Sequence, residues 1–126
     1  EHALERSRVA VSNSEARNEY QWIHWFWGSL GIAEYRAGNF AEAAAQLEKA
    51  AASDNLYIRS LALPFHAMTE FKRGNLERAR ELLVEARKEA ARLPKPGTDE
   101  YLEEWTDTLT TRIAMVEAER ICAAVF

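Results

Sequence analysis

Histidine is the side chain in this sequence most suited to catalysis or metal binding. The chain has three: His2, His24 and His66. They share no HxxxH or HExxH spacing, which would bring two imidazoles to one metal ion. His66 lies in the apolar segment LALPFHAM, so we interpret it as a buried or half-buried structural residue. A phosphotransfer histidine is the alternative, but the Lys-Gly expected shortly after it is absent. The pattern predicts no metal site.

The single cysteine and the acidic residues also lack a catalytic pattern. Cys122 cannot form an internal disulfide, which favours a reducing compartment, and without a nearby histidine it is predicted to be a buried thiol. Five acids cluster in a predicted helix start, where they compensate the helix dipole; a basic partner or a cation is the alternative. These are Asp99, Glu100, Glu103, Glu104 and Asp107. We therefore expect no catalytic residues, no cofactor and no enzyme activity.

Composition narrows the class of protein further. The 126 residues fit one domain, and 48% hydrophobic with 29% charged residues is typical of a globular chain. A net charge of -4 argues against a nucleic-acid surface. Apolar runs are far shorter than the roughly 18 residues that a membrane helix needs. We expect a cytoplasmic protein that binds neither nucleic acid nor membrane.

An internal repeat dominates the sequence. GNFAEAAAQLEKA, from Gly38 to Ala50, recurs as GNLERARELLVEA, from Gly74 to Ala86, so the period is 36 residues. A period in the mid-thirties is typical of stacked helical hairpins. Glycine can adopt positive φ at the end of each hairpin's first helix. Asn39 with Glu42 predicts a capping box for the next helix.

The remaining elements follow from helical spacing and from breakers. No segment has the alternation of a β-strand, so the predicted class is all-α. Pro64 predicts either a kinked helix or a helix that starts near Leu63. The predicted helices cover residues 3–11, 15–37, 40–53, 56–73 and 76–93, followed by a last helix after the PKPG stop at 94–97.

The two repeat units, with the helix that precedes each glycine, resemble the tetratricopeptide repeat (TPR) family. His66 in place of leucine, the late position of Tyr35, Pro64 and the 36-residue period depart from the family pattern, whose period is about 34. The resemblance implies an α-α superhelix of about two hairpins: an N-terminal helix and loop at 1–21, repeats at 22–54 and 55–93, and a capping helix at 98–126. It is carried by Trp27, Leu30, Gly31, Tyr35, Gly38, Phe40, Ala43, Leu47 and Ala50, and by Leu63, Ala67, Phe71, Gly74, Leu76, Ala79, Leu83 and Ala86.

The closing segment is also similar to the C-terminal ends of some large bacterial signalling proteins. This implies that the chain is a TPR segment of a larger protein. The kinase motifs that such proteins carry elsewhere, a Gly-rich loop with HRD and DFG, are absent from this sequence. The last helix is expected to cap the stack with an apolar face formed by Leu102, Trp105, Leu109 and Ile113.

The resemblance implies a concave groove on the inner faces of the first helices. An apolar helix or extended peptide would suit it, or the last helix, residues 101–124, would fill it. Gly28 and Ile32 hold two positions at which relatives clamp a peptide carboxylate, so that ligand class is not expected. The candidate partner-binding residues are Trp25, Ile32, Tyr35, Arg36, Phe65, Met68, Phe71 and Lys72.

An aromatic run gives a second surface for association. Trp22, Trp25, Phe26 and Trp27 lie within six residues, and Trp25 is expected to be the most exposed. We therefore predict a scaffold that binds a protein or peptide in the groove, or that forms a homodimer through this aromatic face. The alternative is a regulatory segment that binds a small apolar ligand between the hairpins.

Overall fold

The computed structural model describes residues 3–9, 20–95 and 99–123, with side chains from residue 22 in the second helix and from residue 108 in the last. Most of these residues are helical and none of them lies in a strand, which confirms the all-α prediction. The predicted helical residues 10–11, 15–19 and 124–126 lie outside the described part. The helices are α1 (residues 3–9), α2 (Tyr20–Arg36), α3 (Phe40–Ala51), α4 (Leu56–Lys72), α5 (Leu76–Ala90) and α6 (Asp99–Ile121).

Two hairpins, α2–α3 and α4–α5, turn at the repeated glycines. Gly38 and Gly74 have φ of 84° and 82°, the left-handed region in which glycine carries no Cβ penalty. Gly38 N–H donates to the Tyr35 carbonyl at 3.0 Å, and Asn39 N–H donates to the Glu34 carbonyl at 2.9 Å. The second hairpin repeats both bonds at the same lengths. This paired pattern satisfies the last carbonyls of each first helix.

The asparagine after each glycine behaves differently from the prediction. Asn39 makes no side-chain cap bond to α3, so the capping box with Glu42 is wrong. Its amide instead donates to Glu34 Oε1 at 2.8 Å, and Asn75 donates to Glu70 Oε1 at 2.6 Å. Both carboxylates are buried, and a buried carboxylate needs donors. The amide therefore turns back to the preceding helix.

Helix α4 continues through Pro64, so a helix start near Leu63 is wrong. Its start is fixed by Asn55, whose side chain accepts from Tyr57 N–H at 2.9 Å and from Ile58 N–H at 3.3 Å. All residues from 62 to 70 are buried because α4 is central and packs on α2, α3, α5 and α6.

Helix α6 packs on α4 and, less extensively, on α5, and the two described residues of its predicted apolar face are not buried there. Leu109 is 39% exposed and Ile113 is 61% exposed; the side chains of Leu102 and Trp105 lie outside the described residues. The buried face consists of Thr108, Thr111, Ala114, Met115, Ala118 and Cys122.

Candidate partner-binding site

Three of the eight predicted groove residues are part of the core. Tyr35, Phe65 and Met68 are 7%, 6% and 0% exposed. The Tyr35 hydroxyl lies 3.6 Å from Met68 Sδ, and the Tyr35 and Phe65 rings meet edge to face at 5.9 Å. Burial raises the pKa of Tyr35. These three predicted site residues come together, but they support the stack and offer no surface to a partner.

Arg36 closes this end of the groove by binding α6. Its guanidinium donates to both Glu117 oxygens, at 2.6 and 2.8 Å, and lies 5.3 Å from the centre of the Phe65 ring. These hydrogen bonds raise the pKa of Arg36 and lower the pKa of Glu117. A bidentate pair of this kind is among the stronger side-chain contacts. At this end the structure favours the filled groove over the open one.

Phe71 and Lys72 lie at the same end, at the C-terminus of α4. Phe71 is half-buried against the core, and Lys72 is exposed. Burial raises the pKa of the Cys122 thiol, and the nearby Lys72 charge opposes that effect. Cys122 is 0% exposed, which confirms the predicted buried thiol. Lys72 therefore lies near the end of α6, and Phe71 packs against the core.

Two other residues of the predicted groove line an open cleft. A cleft of about 90 Å³ lies between α2 and α4, and two predicted site residues, Trp25 and Ile32, line it. Ile58 and Ala62 complete its floor, and the sequence analysis missed them. They precede Phe65 at helical spacing, so extending the α4 face by two turns would have found them. The full lining is Trp25, Gly28, Ser29, Ile32, Ile58, Leu61 and Ala62.

A wider cleft of about 480 Å³ adjoins the first at Ser29 and Ile32. It lies between α1 and α2. Leu4 packs with Ile23 and Leu30, and Arg8 bonds the Glu34 carboxylate at 2.9 Å, so α1 is fixed against α2. The lining is Ala3, Leu4, Ser7, Ser29, Ile32, Ala33, Arg36 and Ala37.

The aromatic run is divided between faces of α2. Trp22, not Trp25, is the exposed member, at 53%, because Trp25 packs on the core between α2 and α4. Phe26 and Trp27 are half-buried. The Trp27 ring meets His24 edge to face at 5.1 Å.

A separate cleft of about 340 Å³ contains His66 and Glu70. His66 is 4% exposed, as predicted, and its Nε2 lies 3.5 Å from Glu70 Oε2. Burial lowers the pKa of His66 and keeps the ring neutral. Burial alone would raise the pKa of Glu70, but the Asn75 hydrogen bond and the Arg73 charge outweigh it and lower that pKa.

A comparison with the first hairpin shows the role of the Glu70 carboxylate. Glu34 makes the same bond to its own asparagine, and Leu30 stands 36 residues before His66. The glutamate therefore fastens the turn in both hairpins, with or without a histidine. In the described residues, no group of three or more His, Cys, Asp or Glu side chains could hold a metal ion.

Within residues 3–9, 20–95 and 99–123, no helix combines the length and apolar character needed to cross a membrane. Comparisons with protein-family models, with curated proteins and with solved structures found no match.

Proposed function

We propose that this chain is a non-enzymatic, TPR-like interaction module that binds a peptide or helix of another protein. One observation carries the proposal: the faces of α2 and α4 keep an apolar cleft at Trp25, Ile32 and Leu61, although α6 packs on α4 and pairs with Arg36 of α2. An apolar pocket lined by half-buried aromatic and aliphatic residues commonly binds an anchor side chain of a partner peptide.

The size of the cleft favours a peptide anchor over a small apolar ligand. Its volume of about 90 Å³ is below the roughly 150 Å³ of an engineered cavity that binds benzene. It suits one aliphatic side chain. The wider cleft at Ser29 and Ile32 then provides room for the residues on one side of that anchor. Pro64 and Phe65, which lie in α4 between the two hairpins, are buried.

The exposure of Trp22 supports self-association as a second mode. An exposed tryptophan offers a large apolar area at low entropic cost. If this mode operates, sedimentation of the wild type should show a dimer that Trp22→Glu converts to monomer. The proposed context, a TPR segment of a larger bacterial signalling protein, is compatible with either mode.

The test of the cleft uses short random peptides displayed on phage and selected against the protein. Selected peptides are synthesised and titrated into methyl-labelled protein. We expect shifts of the Ile32, Ile58 and Leu61 methyl signals, and about a tenfold loss of affinity in Leu61→Arg. Val84→Arg, on the outer face of α5, is the matched control. Selected peptides that bind Leu61→Arg as well as the wild type would disprove the proposal.

A further inference from the structure

Helix α6 does not follow the second hairpin in the way that α4 follows the first. Helix α4 packs more extensively on α3, the second helix of the hairpin before it, than on α2. Helix α6 reverses this order, because it packs more extensively on α4 than on α5. The last helix is therefore displaced toward the first helices of the hairpins, whose inner faces form the predicted groove.

The contacts of α6 with α2 show how far this displacement goes. Glu117 of α6 accepts two hydrogen bonds from Arg36, although α3, α4 and α5 separate these two helices in the chain. The Arg36 guanidinium also lies over the Phe65 ring. Burial and the charge of Glu117 both raise the pKa of Tyr35. Helix α6 thus occupies the end of the predicted groove at Tyr35 and Phe65.

The buried face of α6 offers little apolar area to this contact. Among the described residues on that face, only Met115 is both large and apolar, whereas Ala114 and Ala118 bury small side chains. Thr108 and Thr111 are fully buried, and within the described part of the chain neither hydroxyl has a hydrogen-bond partner. A buried hydroxyl without a partner opposes burial, because it has given up water for no bond.

Two ion pairs at the surface fasten α6 to the hairpins. The bidentate pair of Glu117 with Arg36 is the stronger latch, and Glu119 pairs with Arg87 at 3.2 Å. Both arginines are exposed, so salt screens these pairs. The docking of α6 therefore depends on a surface latch, whereas the helices of the first hairpin are joined through the fully buried Leu47.

We propose that α6 is a detachable lid over the inner face of α4, which is released while the two hairpins stay folded. Phe65 and Met68 share a buried cluster with Met115 of α6, and release of the lid uncovers them. They follow Leu61 at helical spacing, so they continue the apolar cleft along α4. A peptide anchored in the cleft then competes with α6 for the rest of the groove. This competition rests on the proposed function; the detachment of α6 does not.

Native-state hydrogen exchange tests the detachment. The amides of α6 should exchange through an opening that depends less on urea than the opening of α4 and α5, because less surface is exposed. Glu117→Gln should speed α6 exchange about three- to fivefold. Glu81→Gln, in an exposed pair on α5, is the matched control and should leave it unchanged.

A substitution in α3 separates release of the lid from unfolding of the domain. Helix α3 does not pack on α6 in the described part of the chain. Ala50→Gly, in α3, should speed exchange in α4 and α5 about tenfold through lower global stability, and it should leave α6 exchange as in the wild type. Equal acceleration in α5 and α6 would show that α6 opens only with the whole domain, and would overturn the lid.

The buried hydroxyls provide a test of opposite sign. Thr111→Val keeps the side-chain shape and removes a hydroxyl that has no partner, so α6 should exchange about threefold more slowly. Thr69→Val, in α4, is the matched control. Its hydroxyl already donates to the Phe65 carbonyl at 2.7 Å, so its loss should not slow α6 exchange.

Competition is tested with the peptides selected for the cleft, extended at one end by random residues and selected again. The extended peptides should bind Glu117→Gln about three- to fivefold more tightly than the wild type. Added to the wild type, they should speed α6 exchange, and Leu61→Arg should abolish both effects. Peptides that need Leu61 but leave α6 exchange unchanged would overturn the competition. Local exchange of α6 with peptides that do not need Leu61 would support the lid and overturn the proposed function.

Discussion

The two hairpins share a turn but differ in how their helices meet. Each has a buried glutamate, a glycine with positive φ and an asparagine that bonds back to the glutamate. They differ on the first helix, where Leu30 and Gly31 in one correspond to His66 and Ala67 in the other. The turn is therefore the constant part of the repeat, and the helix interface is the variable part.

Gly31 shows the structural cost of that variation. A Cβ at this position would lie 2.6 Å from Leu47 Cγ and 3.2 Å from the Leu47 backbone nitrogen. In the second hairpin, Ala67 already carries a Cβ and is fully buried. The first hairpin thus depends on the absence of a side chain where the second accepts a methyl group.

The largest effect expected from this comparison is at the residue that packs on Gly31. Leu47 is 0% exposed, so Leu47→Ala should destabilise the domain by about 2–5 kcal/mol. Urea denaturation measures the loss. Leu83→Ala, its counterpart in the second hairpin, is the matched variant and should fall in the same range. A cost below about 1 kcal/mol at Leu47 would contradict the assigned core.

Gly31→Ala should come next, with a loss of about 1–3 kcal/mol, because the new methyl group overlaps Leu47. The double variant Gly31→Ala, Leu47→Ala should lose less stability than the sum of the losses of the two single variants, since the side chain that overlaps the new methyl group is gone. Chemical denaturation of the four proteins in this cycle provides the test. Strict additivity would mean that Gly31 and Leu47 are not in contact.

Replacement of the turn glycine should cost the same stability in both hairpins. Gly38→Val and Gly74→Val should each cost about 1–2 kcal/mol, because an L-residue pays to adopt positive φ. No heavy atom lies within 4 Å of a Cβ built at either position, so the cost is conformational. Gly→Asn variants should lose less, since asparagine tolerates this region. Unchanged melting temperatures in the valine variants would refute the turn assignment.

The smallest effect should be on the pH dependence of folding stability, through His66. Burial lowers its pKa below 6.5, so the unfolded chain takes up the proton at higher pH than the folded chain. Stability should therefore fall as pH drops below about 6.5, and His66→Leu should flatten that fall. Glu70, whose pKa is lowered from 4.5, titrates at more acidic pH.

Urea midpoints between about pH 7.5 and 5 would measure this slope, in a window chosen around the ordinary histidine pKa. Equal slopes in wild type and His66→Leu would show that His66 does not carry the pH dependence.

The repeat allowed the helices and both glycine turns to be predicted, because a period and a positive-φ residue are local signals. The side-chain bond of Asn39 was not predictable in the same way. Its sequence context, with Glu42 three residues on, fits a capping box, and only the burial of Glu34 redirects the amide. That burial is a tertiary property.

The packing of α6 shows a second limit. Hydrophobicity selects Leu109 and Ile113 as its buried face, but the contact of α6 with α4 and α5 buries Thr111 and Ala118 instead. The sequence likewise does not show how far α6 covers the predicted groove. Which face of α6 is buried depends on its contacts with the other helices, which is a tertiary property.

Because the Cys122 thiol is fully buried, the rate at which it reacts with a reagent can measure how often α6 detaches. A disulfide reagent in solution reaches Sγ only during the intervals in which the end of α6 detaches, so the modification rate reports the frequency of detachment. The sequence has one cysteine, and the signal therefore comes from a single position. The native chain therefore carries its own probe of how often the end of α6 detaches.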